Sequence, residues 1–246
     1  MANATEIYVV SVIFQATVIR SAFGFGEALV AVPLLALVIP VEVAAPLATL
    51  VSITVAGIII VQDWRNVRVR SAGLLVASTF LGIPVGLLLL KTVAESLVKA
   101  ILALVIIAFS WDRLASRRQV HLADDRLAGL FGFGAGVLGG AYGMNGPPLV
   151  VYGTLRRWPP EDFRATLQGY FLPASLAGMG GYWLGGFWVP AVTRHYLWCL
   201  PVVLAAVVLG RAIHRRIPGA AFIRYLHAGL IVIGTVLLIQ SVAGLL

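Results

Sequence analysis

The sequence predicts an all-α polytopic membrane protein built as two inverted repeats, each a broken helical hairpin followed by three transmembrane helices. Three observations support this prediction. Hydrophobic residues make up 60% of the 246 residues, only 11% are charged and the mean hydropathy is +0.97, whereas soluble domains average about 25% charged residues. Long apolar runs recur along the whole chain. Glycine clusters interrupt two apolar stretches, one in each half.

Ten apolar segments follow one another along the chain. They are Ile7–Ile19, Ala28–Ile39, Val43–Val61, Ser71–Leu90, Leu97–Trp111, Leu127–Tyr142, Leu149–Leu155, Ala165–Leu184, Tyr196–Leu209 and Phe222–Leu245. The stretches Ile7–Ile39 and Leu127–Leu155 have glycines near their middle. A single helix over the first would be about 50 Å long, against a hydrocarbon core of about 30 Å. Each stretch is therefore predicted to be a broken hairpin, which gives 8 to 10 helical segments in all.

Basic residues in the loops predict the orientation. Fourteen arginines lie in four short segments, DWRNVRVR, DRLASRRQVHLADDR, RRWPPEDFR and RAIHRRIPGAAFIR. If each broken hairpin enters and leaves on one side, all fourteen face the same side, which the positive-inside rule makes cytoplasmic. If each stretch instead crosses once, the charges divide almost equally. The first arrangement is favoured, and it places both termini outside the cytoplasm.

The two halves show a weak similarity at a constant offset of 119 residues. AFG at 22–24 matches AYG at 141–143, PVE at 40–42 matches PPE at 159–161, and Trp64 matches Trp183. The matches fall at the breaks, at the start of the next helix and at its aromatic end. We predict a first repeat at residues 1–112, a basic cytoplasmic loop at 113–126 and a second repeat at 127–246. Inverted repeats with broken helices are typical of transporters that bind substrate at the breaks.

The residues at the breaks suit a small anion. Asn145 is a good helix N-cap, and Pro147 or Pro148 suits a first helical turn because proline has no amide hydrogen. A helix beginning inside the membrane there, and another at Gly26–Ala28, would point free amides at a bound oxyanion. The predicted substrate-binding residues of the breaks are Gly24, Gly26, Gly143, Asn145 and Gly146. The alternative for the glycines is helix packing.

Arg20 is the most informative single residue, because it lies well inside the first apolar segment. A charge at that depth usually faces the protein interior and has a partner. Arg20 is therefore a candidate substrate ligand, since a guanidinium matches an oxyanion in geometry. The alternatives are a static ion pair with Glu27, or a side chain that extends to the interface. Glu27, beside the same break, is a proton-coupling candidate or simply neutralises Arg20.

Arg164 and Gln168, four residues apart in FRATLQG, are predicted to form the inner vestibule of the anion path. Arg164 is equally well explained as a positive-inside residue. His121 and His214 are expected in loops, and no histidine has the spacing of a zinc pair or a catalytic triad. A lone cysteine, Cys199, offers no thiolate cluster. We therefore expect no metal, no cofactor and no enzymatic activity, and the loop arginines do not indicate nucleic acid.

The glycine-rich break and the segment GVLGGAYGMNGPPLVVYGTLRRWPPEDFRATLQGYF, residues 136–171, resemble the sulfite exporter TauE/SafE family over essentially the whole chain. The resemblance implies a permease of the bacterial cytoplasmic (inner) membrane that exports sulfite, organosulfonates or related carboxylates. Its partners would be the small anionic substrate and the lipid bilayer, while a homodimer is left open. The alternatives are a gated anion channel, or an accessory or enzymatic membrane subunit that does not transport.

Overall fold

The computed structural model is helical wherever it forms regular structure in the described residues. It describes residues 4–35, 37–92, 121–142 and 145–243, together with 97, 100, 103, 104, 107–111 and 114. Nine α-helices are traced in the described part of the chain. They are α1 (Ala4–Phe23), α2 (Glu27–Leu35), α3 (Val41–Asp63), α4 (Val69–Thr92), α5 (Ala128–Tyr142), α6 (Gly146–Leu155), α7 (Pro160–Leu184), α8 (Pro190–Arg216) and α9 (Gly219–Ala243).

Four helical segments within the described residues are long and apolar enough to cross a membrane. They are Ala4–Phe23, Glu42–Asn66, Val69–Gly86 and Pro190–Arg216, and the last of the four has 27 residues. Ala128–Gly139 within α5 and Arg224–Val236 within α9 are shorter apolar helical segments. The prediction of an all-α polytopic membrane protein is confirmed.

Both predicted helix breaks are present. Gly24 and Gly26 have φ angles of +88° and +97°, a region that residues with a Cβ rarely adopt. The chain therefore leaves α1 after Phe23 and starts α2 at Glu27. With 9 and 10 residues, α2 and α6 are each only about 14–15 Å long, so neither can span a hydrocarbon core of about 30 Å alone.

The helix boundaries repeat at the offset found in the sequence. The pairs of equivalent helix starts are Glu27 and Gly146, and Val41 and Pro160. Each pair is separated by the same 119 residues that separate the short sequence matches. The repetition of secondary structure supports two related halves, while the inversion of one half and the domain boundaries 1–112 and 127–246 remain predictions.

The chain forms two compact units, each drawn from both halves of the sequence. The first comprises Met1–Ala72 and Glu161–Ile217, and the second comprises Gly73–Pro160 and Pro218–Leu246. The first unit contains an apolar core in which side chains of α1, α2, α3 and α8 pack together, including Ile13, Leu35 and Leu47. Gly210 on α8 lets α1 approach closely, because a Cβ there would overlap the side chain of Ser21. Close approach at small residues is a usual basis of helix packing in membranes.

Within the first unit, α3 and α7 run antiparallel. Asp63, at the end of α3, binds Arg164 near the start of α7, whereas Ser52 in the middle of α3 lies 2.8 Å from Ser175, later in α7. These two helices are equivalent under the 119-residue offset. Opposite directions for equivalent helices are what an inverted repeat requires.

Small residues also bring helices together in the second unit. Gly132 and Gly136 on α5 face the backbone of α4, where an added Cβ would overlap Leu75 and Thr79 respectively. The Thr79 hydroxyl donates to the Gly132 carbonyl at 2.8 Å. At the end of α6, the Tyr152 hydroxyl donates to Asp125 at 2.6 Å. Both units therefore use glycine for helix packing, the alternative that the sequence left open for such residues.

Candidate functional site

Arg20 is buried among four helices of the first unit, with 4% of its surface exposed. Its Nη1 donates to the carboxylate of Glu27 at the start of α2 and to the Ser52 hydroxyl on α3, the latter at 2.6 Å. Its Nε and Nη2 both donate to the side-chain oxygen of Gln168 on α7, at 3.1 and 2.8 Å. The guanidinium is thus a hub that links α1, α2, α3 and α7. The ion pair with Glu27, one of the alternatives considered for Arg20, is present in this structure.

Gln168 connects the arginine to the helix break. While its oxygen accepts from Arg20, its Nε2 donates to the carbonyl of Gly24 at 2.8 Å. Gln168 is fully buried, and a buried amide is stable only when its donors and acceptors are satisfied. The side chain therefore holds both the guanidinium and the first residue of the break in place.

Polar and aromatic groups surround Arg20 on its remaining sides. Ser52, which accepts from Arg20, also exchanges a hydrogen bond with Ser175 at 2.8 Å. The Phe171 ring lies against the guanidinium, with 5.0 Å between Cζ and the ring centroid. An arginine over an aromatic face gains a cation–π attraction. One carboxylate oxygen of Glu27, Oε1, is buried and finds no hydrogen-bond partner among the residues that the structure describes.

A second buried arginine of the first unit lies on α7, the helix that also carries Gln168. Arg164, 2% exposed, donates through Nε to the carbonyl of Ser21 at 2.6 Å and through Nη1 to the carboxylate of Asp63. The other Asp63 oxygen accepts from Arg211 on α8 at 3.0 Å. Asp63 thus bridges two arginines. The remaining Arg164 nitrogen, Nη2, is buried and has no hydrogen-bond partner in the part of the chain that the structure describes.

The carbonyls at the end of α1 are bound by side chains from other helices. Ser21 O accepts from Arg164, Gly24 O accepts from Gln168, and Ala22 O lies 2.8 Å from Nδ1 of His214. The last carbonyls of a helix have no partner within it, and buried backbone carbonyls are normally hydrogen-bonded. Arg164 and Gln168 therefore stabilise the break itself. The expectation that His214 is a loop residue is wrong, because it lies buried within α8.

The second break has no charged side chain in its described residues. Asn145 precedes α6 as its N-cap and a proline occupies the first turn, as expected, but the Asn145 side chain makes no capping hydrogen bond. Its Cβ lies 3.0 Å from where a Cβ on Gly139 would be, so this break is closed by tight packing. Gly146 begins α6, and no described atom lies within 4 Å of where its Cβ would be. Gly143, another predicted substrate contact, lies outside the described residues.

In the part of the chain that the structure describes, no group of three or more His, Cys, Asp or Glu side chains is placed to hold a metal ion. Cys199 is buried among apolar side chains of the core. The site consists of arginine, carboxylate, amide and hydroxyl groups, and a guanidinium forms its strongest hydrogen bonds with oxyanions such as carboxylates.

Comparison with known families identifies the chain. The family model described as Sulfite exporter TauE/SafE matches residues 9–238. The chain belongs to the TauE/SafE family. The match includes both helix breaks and every predicted site residue, and TauE/SafE proteins are membrane transporters. No curated protein and no solved structure was found to match the chain.

The TauE/SafE assignment agrees with four membrane-length helices and describes a multi-pass membrane protein. Within this framework, the structure brings together the predicted residues of the first unit, namely Arg20, Gly24, Gly26, Glu27, Arg164 and Gln168. Sequence reasoning missed the roles of Ser52 and Asp63. A hydroxyl in a long apolar run, or a carboxylate at a helix end, is too common in membrane helices to indicate a site from sequence alone.

Proposed function

We propose that this chain exports small sulfur-containing anions, such as sulfite, organosulfonates or related carboxylates, across the bacterial cytoplasmic membrane by alternating access. The observation that carries the proposal is Arg20, a guanidinium that is 4% exposed beside a helix break in a transporter of the TauE/SafE family. Buried charges inside membrane proteins usually mark ion or substrate pathways. Membership in a family described as sulfite exporters supports the substrate class.

In the proposed mechanism, the substrate competes with Glu27 for Arg20. Glu27 and Gln168 accept hydrogen bonds from all three guanidinium nitrogens in the present structure. An arriving oxyanion would replace the Glu27 carboxylate, and the displaced Glu27 would take up a proton because it would otherwise remain buried as an unpaired charge. The amides in the first turn of α2 and the glycine backbone at 24–26 would then hold the oxyanion. Contributions from Gly143, Asn145 and Gly146 are proposed on the sequence alone.

Net export does not require coupling in this mechanism. A membrane potential that is negative inside favours movement of an anion outward by about 2.3 kcal/mol per charge per 100 mV. Proton uptake by Glu27 would therefore be an optional second driving force. The prediction for Glu27→Gln is that voltage-driven flux persists while any dependence of the flux on a proton gradient disappears.

The direct test is counterflow of labelled sulfite in proteoliposomes, with unlabelled sulfite, taurine and sulfate as competitors. Wild type should show saturable exchange, and Arg20→Gln should lose it. The matched control is Arg68→Gln, because Arg68 forms an ion pair with Asp162 at a partly exposed position and its loss should leave exchange unchanged. Flux that rises linearly with concentration without counterflow would instead indicate a gated channel.

Cysteine labelling from each side of the membrane tests the proposed orientation. Arg65, Glu161 and Arg216 are exposed in the first unit, and cysteines at these three positions should react from the cytoplasmic side. A cysteine at the exposed Arg194 should react from the opposite side. The native Cys199 is buried and should contribute little background. Labelling of the first three positions from different sides would overturn the proposed topology.

A further inference from the structure

Asp63 forms two ion pairs outside the Arg20 site. Asp63 lies at the end of α3 and binds Arg164 and Arg211 simultaneously, one through each carboxylate oxygen. The three side chains leave one positive charge in excess. Arg215 and Arg216 add exposed positive charge in the last turn of α8. This end of the helices carries the arginines that predict the cytoplasmic side.

The geometry around Arg164 resembles an anion site that an internal carboxylate already occupies. A carboxylate and a sulfur oxyanion present similar oxygen atoms to a guanidinium, so they compete for the same donors. Arg164 also has one nitrogen, Nη2, that is buried and has no hydrogen-bond partner among the described residues. Arg211, the other arginine that binds Asp63, is 26% exposed, so it is accessible to an ion from solution. These features indicate an anion site that has a further hydrogen-bond donor, Nη2 of Arg164, and that is accessible from solution at Arg211.

We propose that Arg164 and Arg211 form a second oxyanion site near the cytoplasmic end of the first unit, in which Asp63 is the built-in competitor that the incoming anion displaces. The proposal rests on the proposed function for the direction of travel and for the class of anion. The same arginine that stabilises the end of α1 through Ser21 O would also receive the substrate before Arg20 does. Binding at this site would therefore be coupled to the break.

Removing the competitor should tighten anion binding. The experiment measures the sulfite concentration that half-maximally raises the melting temperature of the purified protein, with sodium chloride at equal ionic strength as the screening control. The background is Arg20→Gln/Glu27→Gln, which removes both charges of the central pair together, so the signal reports on the second site. Asp63→Asn in this background should lower the half-saturating sulfite concentration about 5-fold or more. The matched control, Asp162→Asn, removes the partner of Arg68 on the surface and should change nothing.

A second variant keeps the test informative if Asp63→Asn does not fold. Arg211→Gln leaves the buried Arg164–Asp63 pair intact and should weaken sulfite binding about 5-fold or more. Unchanged binding in Arg211→Gln, or equal or weaker binding in a folded Asp63→Asn protein, would overturn the proposal. An equal effect of Asp162→Asn would do the same, because it would show general charge screening only.

The outcomes also separate this inference from the proposed function. Tighter sulfite binding in Asp63→Asn, combined with no counterflow in wild type, would retain the second site and reject the transport proposal. Saturable counterflow in wild type, combined with no tightening in Asp63→Asn, would retain transport and reject the second site.

Discussion

The two helix breaks lie at equivalent positions of the chain but are built with different chemistry. At the first break, Arg20 and Glu27 form a buried ion pair across glycines 24 and 26. The residues 119 positions later are Gly139 and Gly146, and neither carries a side chain. The second break is instead closed by Asn145 against Gly139 and by prolines in the first turn of α6.

The same kind of helix break is thus stabilised by an ion pair in one unit and by packing in the other. A buried ion pair contributes little net stability, because desolvation offsets the attraction between the charges. Tight packing of small residues, as at Gly139, costs no desolvation of charge. Interrupting a helix with a buried ion pair therefore costs more desolvation free energy than interrupting it by packing. The presence of the ion pair at the first break is explained if Arg20 and Glu27 also bind and exchange ions.

The largest expected effect comes from Arg20→Gln, which removes the charge at the first break. Losing one partner of a buried ion pair costs about 3–5 kcal/mol, and we expect sulfite exchange to fall below detection. Arg20→Gln/Glu27→Gln removes both charges and should recover most of the stability without recovering exchange. The measurements are melting temperature in detergent and counterflow. Exchange restored in the double variant would show that the pair is structural only.

Gly24→Ala is expected to have the second-largest effect, which is a loss of stability. Gly24 has φ +88°, and a Cβ there would lie 3.0 Å from Cα of Arg164. Strain at this φ costs about 1–3 kcal/mol, and the clash is with backbone that cannot easily move. The substitution should lower the melting temperature and displace Arg164 from Ser21 O. A melting temperature equal to that of wild type would contradict the geometry of the first break.

Gly26→Ala and Gly146→Ala compare the two breaks directly. Among the described residues, an added Cβ at Gly26 would contact only the Ile19 side chain, at 3.5 Å, so the strain at φ +97° should account for the cost of about 1–3 kcal/mol. Gly146 has no positive φ, and no described atom lies within 4 Å of an added Cβ, so we expect a change within about 0.5 kcal/mol. Chemical unfolding of both variants measures the difference. Equal destabilisation would show that the second break is strained as well.

The smallest expected effect on stability is that of Asn145→Ala. Loss of a functioning N-cap costs about 1 kcal/mol, but the Asn145 side chain makes no capping hydrogen bond, so we expect a change below about 0.5 kcal/mol. If Asn145 contacts the substrate as proposed, the half-saturating sulfite concentration in counterflow should nevertheless rise several-fold. Unchanged affinity would remove Asn145 from the proposed site.

The positions of both breaks could be predicted from the sequence, because they depend on residues at the breaks themselves. The end of α1 at Phe23 and the start of α6 at Gly146 depend on glycine and proline, whose backbone preferences act wherever they occur. The capping of the α1 carbonyls could not be predicted in the same way. His214 lies 192 positions from Ala22 O, and no local pattern indicates which distant helix supplies a hydrogen-bond donor.

The sequence by itself determined that the chain is a helical membrane protein, that two glycine-containing breaks interrupt it 119 residues apart, and that Arg20 is an isolated charge in an apolar segment. Hydropathy, chain flexibility and the cost of a buried charge are local properties of residues, which is why these conclusions followed directly. Only the tertiary structure decided that Arg20 is shared between Glu27 and Gln168, and that Asp63 bridges two arginines. Such partnerships depend on which helices lie side by side, because an arginine binds whichever acceptor packing brings within about 3 Å.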